Sequence, residues 1–306
     1  MSENPAEPQV HEQEHDHTVV LALGAGGARG LAQIGVIEVL LERGLQIRAI
    51  AGTSCGALVG GACAAGKLPE LMHWMQTTSR AEMLRLLDPG FGRPAMFTGE
   101  KLVRTLREVV GEPRIEDLPI DFTAVAVDLL RQREVWLRRG DLWDAIRASF
   151  AIPGIFTPMV IGDMELVDGG LLAPLPITAT RLAGPHRVVA IDIHSQPQSL
   201  AEDPVRELAA ESGKAAPGIL GRWMEKHFGD DEEDEPKHHF KLMEVMSRAL
   251  DTMQERIARV QLALEPPELL IRIPRDACEF YEFWRASELI DLGRREAEKA
   301  LDAAGF

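Results

Sequence analysis

The chain has 306 residues, 45% hydrophobic and 26% charged, a balance that supports a sizeable core and excludes disordered and fibrous classes. Its 33 Lys and Arg against 48 Asp and Glu leave a formal charge of −15, which argues against nucleic acid as a partner, since neutralising phosphate needs a basic surface. Two segments hold ten of those fifteen charges: residues 1–17 carry five acids and no Lys or Arg, and residues 225–237 carry seven acids against Lys226 and Lys237.

Residues 1–17 read as a disordered acidic tail without the basic and apolar regions of a secretory signal, and 18–306 read as one domain. Thr18 to Leu23 is a short apolar run suited to a buried strand. It ends in Gly24-Ala25-Gly26-Gly27-Ala28-Arg29-Gly30, where glycines let backbone N–H groups turn inward as an anion-binding nest. A dinucleotide reading needs glycines at 25, 27 and 30 and an acid after the next strand; Ala25 and Ala51-Gly52-Thr53 stand there instead. A helix is predicted from Ala28 to Arg43, stopped by Gly44, and a second strand from Leu45 to Ala51. Strand, helix and strand make a right-handed βαβ unit that brings the two strand ends close together.

Ala49 to Gly66 carries no charge, but five glycines and few large apolar side chains make it a strand, a turn and a packed helix rather than a membrane span. The turn is Gly52-Thr53-Ser54-Cys55-Gly56, a G-x-S-x-G sequence between strand and helix. Such an elbow projects a serine hydroxyl from the sheet edge at a helix N-terminus, which favours developing negative charge.

Further helices are predicted from Pro69, from Thr98 as N-cap, and from Asp141 as N-cap. Asp121 to Asp128 and Glu134 to Arg138 read as paired strands, and Val188 to Ile193 as a buried one. Ala148 to Pro158 is an apolar, proline-bounded connection suited to a pocket wall. Asp168, at the end of an apolar strand and followed by Gly169 and Gly170, is a candidate base. A surface insertion is predicted at about 195–236, where Ile219, Leu220, Trp223, Met224 and Phe228 line one helical face. That face suits a short helix packed on the body, a lid, a partner site or a membrane contact, although the adjacent acid run would be repelled by anionic lipid. Lys237 to Leu264 carries a long helical pattern ended by Pro266-Pro267, Leu269 to Ile273 is strand-like, and Ala286 to Ala304 is a closing helix.

A serine hydroxyl needs a base to become a nucleophile. Of nine histidines, His11, His15 and His17 lie in the tail, His238 and His239 follow the acid run, and His73, His186, His194 and His227 sit in no recognisable catalytic context. Cys55, Cys63 and Cys278 form no CxxC pair, which fits a reducing compartment and argues against a disulfide framework or a thiolate zinc site.

The glycine loop of Gly24 to Gly30 with its Arg29, the G-x-S-x-G around Ser54, and Asp168-Gly169-Gly170, in that order, resemble the patatin-like phospholipases, especially their bacterial and neuropathy-target-esterase-like branch. Ile152-Pro153-Gly154 and Met96-Phe97-Thr98-Gly99 add to the resemblance, which covers residues 18–195 well. It implies a three-layer α/β/α fold with a mainly parallel central sheet. It also implies a Ser–Asp dyad, with Ser54 as nucleophile, Asp168 as base and the N–H groups of Gly26, Gly27 and Ala28 as the oxyanion hole. Gly24, Arg29, Gly30, Gly52, Gly56, Gly169 and Gly170 would be supporting residues. Ala25 departs from the glycine of many members and bears only on the donor set.

The implied function is hydrolysis of lipid carboxylic esters, of lipase, phospholipase A or lysophospholipase type, without metal or cofactor; Asp163 and Glu165 are too isolated to suggest a calcium site. Expected partners are a phospholipid or lysophospholipid and, transiently, a membrane surface, although no basic amphipathic stretch stands out. The expected location is cytoplasmic, with peripheral contact at the inner membrane. Two alternatives are a Ser-His-Asp esterase using His186 or His194, and a non-catalytic module whose glycine nest holds a phosphate or acidic ligand.

Overall fold

A computed structural model describes residues 17–90, 92, 95–184, 186–195 and 242–305. The expected tail and the expected insertion at 195–236 lie outside the described residues, apart from bordering His17 and Ser195.

The first βαβ unit forms as its periodicity dictates. Strand β1 (Thr18–Leu23) leads through a 3-10 turn at Gly27–Leu31 into helix α1 (Ala32–Glu42), and β2 (Gln46–Thr53) returns parallel to β1. The predicted helix from Ala28 therefore opens as 3-10, because the Ala28 N–H donates to the Phe280 carbonyl at 2.9 Å and tightens the entry. Helices α2 (Cys55–Ala64), α3 (Leu68–Thr77), α4 (Arg80–Arg85) and α5 (Glu100–Val110) follow, with the short strand β3 (Ala95–Phe97) before α5. Gly99 rather than Thr98 is the N-cap of α5: the Asp88 carboxylate accepts from both the Thr98 hydroxyl and the Gly99 N–H, while the Thr98 oxygen still accepts from the Glu100 N–H at 3.3 Å. Asp141 caps α6 (Leu142–Ser149) as expected, accepting from the Asp144 N–H at 2.9 Å.

Strands β4 (Asp121–Asp128) and β5 (Arg133–Leu137) pair antiparallel. The short strands β6 (Gly154–Phe156) and β7 (Met159–Ile161) precede β8 (Met164–Asp168), and a single turn of helix, α7 (Ile177–Thr180), leads to β9 (Arg187–Ser195). The 23-residue α8 (Leu242–Leu264), β10 (Leu269–Pro274) and α9 (Ala286–Ala304) complete the described chain. The central sheet runs β10-β9-β1-β2-β4-β8-β7 with β5 also on β4; the pairs from β10 to β4 are parallel and the rest antiparallel.

Helices cover both faces. One face carries the main core, where Leu21, Leu23, Ile50 and Ile191 meet Ile34, Ile37, Val59, Ile146 and Leu289, each such side chain contributing about 1.5–3 kcal/mol when fully buried. The other face is alanine-rich: Ala22 and Ala190 pack with Ile177 of α7 and Ala258 of α8, and Ala51 with Ala173 and Ala179. Small residues there let α7 and α8 lie close to the sheet. Among the described residues no helix is long and apolar enough to cross a membrane; the uncharged 49–66 stretch is the end of β2, the elbow and α2.

Candidate active site

Strand β4 brings two distant segments together. Along residues 124–125 it is flanked by β2 and β5, and along 126–128 by β8 and β5, so β2 and β8 occupy the same side of β4 end to end. Thr53 pairs with Val125, and Asp168 pairs with the next residue, Ala126. Residues 54 and 168 thus meet where parallel β2 stops and antiparallel β8 begins.

Ser54 sits at φ 57°, ψ −121°, a conformation costly for a residue with a side chain and held only by its surroundings. A Cβ on Gly56 would lie 2.2 Å from the Leu23 carbonyl oxygen, so only glycine allows α2 to start this close to β1. The Ser54 N–H donates to the Ser149 hydroxyl at 2.9 Å, and Ser149 donates to the Val125 carbonyl at 2.6 Å, bolting the elbow to β4. The Thr53 hydroxyl donates to the Ala173 carbonyl at 2.8 Å, tying the elbow to the chain beyond Asp168.

The Ser54 hydroxyl lies beside the Asp168 carboxylate in the same pocket, and the carboxylate accepts from the Gly170 N–H at 2.6 Å. Both residues are buried, 4% and 3% exposed. Burial pushes the Asp168 pKa up to about 6, against the lowering effect of the neighbouring Ser54 hydroxyl and Gly170 N–H. Neighbouring Cys55 is pushed up to about 12, chiefly by burial, so its thiol stays protonated beside the serine. All three cysteines are buried free thiols.

The glycine loop faces the same pocket. Gly26 and Gly27 adopt φ 150° and 59°, and no described residue accepts from their N–H groups, whereas that of Ala28 is engaged by Phe280. Arg29, 2% exposed, donates from Nε to the Gly26 carbonyl at 3.2 Å, from one terminal nitrogen to the Arg275 carbonyl at 3.1 Å, and from the other to Asp251 of α8 at 2.6 Å. Gln33 Nε2 donates to the carbonyls of Gly24 and Gly30, both at 3.1 Å. The pocket over Ser54 and Asp168 is walled by Gly26, Ile152, Pro153, Ile155, Leu171, Leu250, Asp251, Gln254 and Phe280. The 148–158 connection supplies part of its wall, as expected.

The histidines stay outside this group. The ring of His194 is buried, its Nε2 without a hydrogen-bond partner among the described residues, and burial followed by the nearby Arg29 charge pushes its pKa down to about 3. His186 precedes β9 at the opposite end of the sheet, about 20 Å from Ser54 at strand spacing. His11, His15, His227, His238 and His239 lie outside the described residues, and His73 is on α3.

The family sequence model described as patatin-like phospholipase matches residues 21–181, which contain the glycine loop, the Ser54 elbow and Asp168. The chain belongs to the patatin-like phospholipase family. An uncharacterised NTE family protein of Mycobacterium tuberculosis is 38% identical over 93% of this chain and 91% of its own length. Human patatin-like phospholipase domain-containing protein 6 is 31% identical over 60% of this chain but only 14% of its own length. Among solved structures, VipD from Legionella pneumophila aligns over 94% of this chain and 67% of its own at 12% identity and a TM-score of 0.45, too distant to carry an argument.

Four residues of this patatin-like site escape sequence reasoning: Ser149, Gln33, Asp251 and Gln254. Gln33 carries a signal, being a polar residue within the apolar run of α1. Ser149 carries none, because its two partners, Val125 and Ser54, are distant in sequence.

Proposed function

We propose that the chain is a serine acyl hydrolase of lipid carboxylic esters, of lipase, phospholipase A or lysophospholipase type, working through Ser54 and Asp168. The observation that carries this reading is the placement of Ser54 beside a buried carboxylate with a pKa near 6, in one largely apolar pocket. Such a base is ionised at neutral pH yet far more basic than an aqueous carboxylate, which suits it to take the serine proton as the hydroxyl attacks the ester carbonyl.

Negative charge then develops on the carbonyl oxygen beside the N–H groups of Gly26 and Gly27, at the N-terminal end of α2. Each such donor is typically worth about 3–4 kcal/mol of transition-state stabilisation. Collapse breaks the ester C–O bond; the departing alcohol or lysolipid takes the proton from Asp168, leaving acyl-Ser54. Asp168 next removes a proton from water attacking the acyl carbonyl, and returns it to Ser54 as the fatty acid leaves. Arg29, fastened to the Gly26 carbonyl, keeps the loop's amides turned inward. Gly24, Gly30, Gly52, Gly56, Gly169 and Gly170 provide the close backbone approach around these groups.

The Ser-His-Asp alternative loses support because His194 is outside the lining of the Ser54 pocket and hard to protonate, while His186 is remote. Labelling with a fluorophosphonate, followed by peptide mapping, tests the hydrolase reading. The expected result is modification at Ser54 in folded protein and loss of both labelling and ester hydrolysis in Ser54→Ala. No label at Ser54 would favour the non-catalytic ligand module instead. Retained hydrolysis in His194→Gln with loss in Asp168→Asn is expected; the reverse would overturn the dyad.

A further inference from the structure

Helix α8 distributes its charges unevenly. Its acids Asp251 and Glu255 meet Arg29 and Arg275 on the body, and Glu265, just past its end, meets Arg181. Buried Ala258, 1% exposed, marks the same side. Away from the body, Val245, Met253, Val260 and Leu264 are 47%, 50%, 57% and 75% exposed. At 3.6 residues per turn those four fall in one sector about 100° wide, along roughly 29 Å of helix. Exposed Arg256 lies within the sector, and exposed Arg248 and Arg259 flank it, both with interactions of their own.

A long apolar stripe carrying an arginine, with Asp251 and Glu255 turned inward, is the pattern of a helix that lies flat in a lipid headgroup layer. This is an amphipathic face that the sequence alone did not make apparent. The stripe is continuous with the pocket: Leu250 of α8 lines it, and half-exposed Leu172 follows pocket residue Leu171 and accepts from Gln261 of α8 through its carbonyl. A second copy packed symmetrically on this face would set arginine against arginine, which disfavours that occupant.

We propose that the outer face of α8, formed by Val245, Met253, Val260 and Leu264 with Arg256, docks the protein on an anionic lipid bilayer with the Ser54 pocket at the contact. The inference deepens the lipid-ester reading and rests on it for its purpose. The test is co-sedimentation of the Ser54→Ala protein with sucrose-loaded vesicles of phosphatidylcholine alone or containing about one-third phosphatidylglycerol.

Partitioning onto the anionic vesicles is expected to exceed that onto the neutral ones about tenfold or more and to weaken with salt. Adding Met253→Asp and Val260→Asp should lower it at least about tenfold, and Arg256→Glu at least about fivefold. In the Ser54 background the same substitutions should leave hydrolysis of soluble p-nitrophenyl butyrate within about twofold, which verifies folding. Unchanged partitioning in the double variant, or equal binding to both vesicles, overturns the inference. So does a dimer that the double variant converts to monomer on size exclusion, which would assign the face to a second copy. Vesicle binding without hydrolysis of any ester refutes the hydrolase reading and spares the docking face. Hydrolysis of the soluble ester without vesicle binding refutes the docking face alone.

Discussion

Replacing Asp168 with Asn separates what the buried carboxylate costs the fold from what it does for the reaction. Burial lifts the Asp168 pKa from 3.8 to about 6. At 1.36 kcal/mol per pH unit, that rise corresponds to about 3 kcal/mol of destabilisation carried by the ionised native state. The native protein holds this proton more tightly than the unfolded chain does. Stability is therefore lost as pH rises from about 4 to about 6, and the whole penalty is present above that. Asparagine carries no charge and keeps an oxygen for the Gly170 N–H, and the rise to about 6 is already net of the stronger bond that the ionised carboxylate makes there. Asp168→Asn should thus be more stable than the parent by about 3 kcal/mol at about pH 8, a melting rise of roughly 6 °C, with no advantage at about pH 4. Since the amide cannot accept the Ser54 proton, ester hydrolysis should fall about 1,000-fold or more. Thermal melts at both pH values beside a short-chain ester assay check both halves. A variant no more stable than the parent at either pH would refute the dominance of desolvation at this carboxylate, and retained hydrolysis would refute its role as base.

Three further outcomes follow from the same geometry. The pH profile of kcat/KM should rise with an acid limb centred at about 6, because Asp168 must be ionised to accept the proton; a limb near 4 would mean a solvated carboxylate. Ser149→Ala strands the buried Ser54 N–H and Val125 carbonyl, and should cost about 3 kcal/mol in denaturant titration together with a lower kcat; an unaffected kcat would separate the elbow's geometry from this serine. Asp251→Asn removes the charge partner of Arg29 on α8 and, with Asp251 about a third exposed, should cost roughly 1–2 kcal/mol by thermal melting, largely recovered by Asp251→Glu.

Much of the site was legible because its parts are local. A glycine-rich turn after an apolar strand, a G-x-S-x-G between strand and helix, and an Asp-Gly-Gly at a strand end each declare a backbone geometry within a few residues. The same holds for β1, β2, β4 and the Asp141 cap of α6, whose side-chain period or capping oxygen acts on its own segment. The N-cap at residue 98 was misread for the opposite reason: Asp88, ten residues upstream, takes the Thr98 hydroxyl and the Gly99 N–H.

The sequence by itself determined which groups could act as nucleophile, base and anion nest, since those capacities belong to residue types in their local turns. Only the tertiary structure decided that they act together. Thr53 and Asp168 are neighbours because β4 offers consecutive register positions to a parallel and an antiparallel strand, a pairing that no local pattern specifies. Packing likewise took the Ala28 amide for Phe280, buried His194 away from the serine pocket, and turned Asp251 and Glu255 of α8 inward and Arg256 outward. Each of these outcomes depends on which distant segment arrives beside a group and removes its water, and that is fixed only when the whole chain has folded.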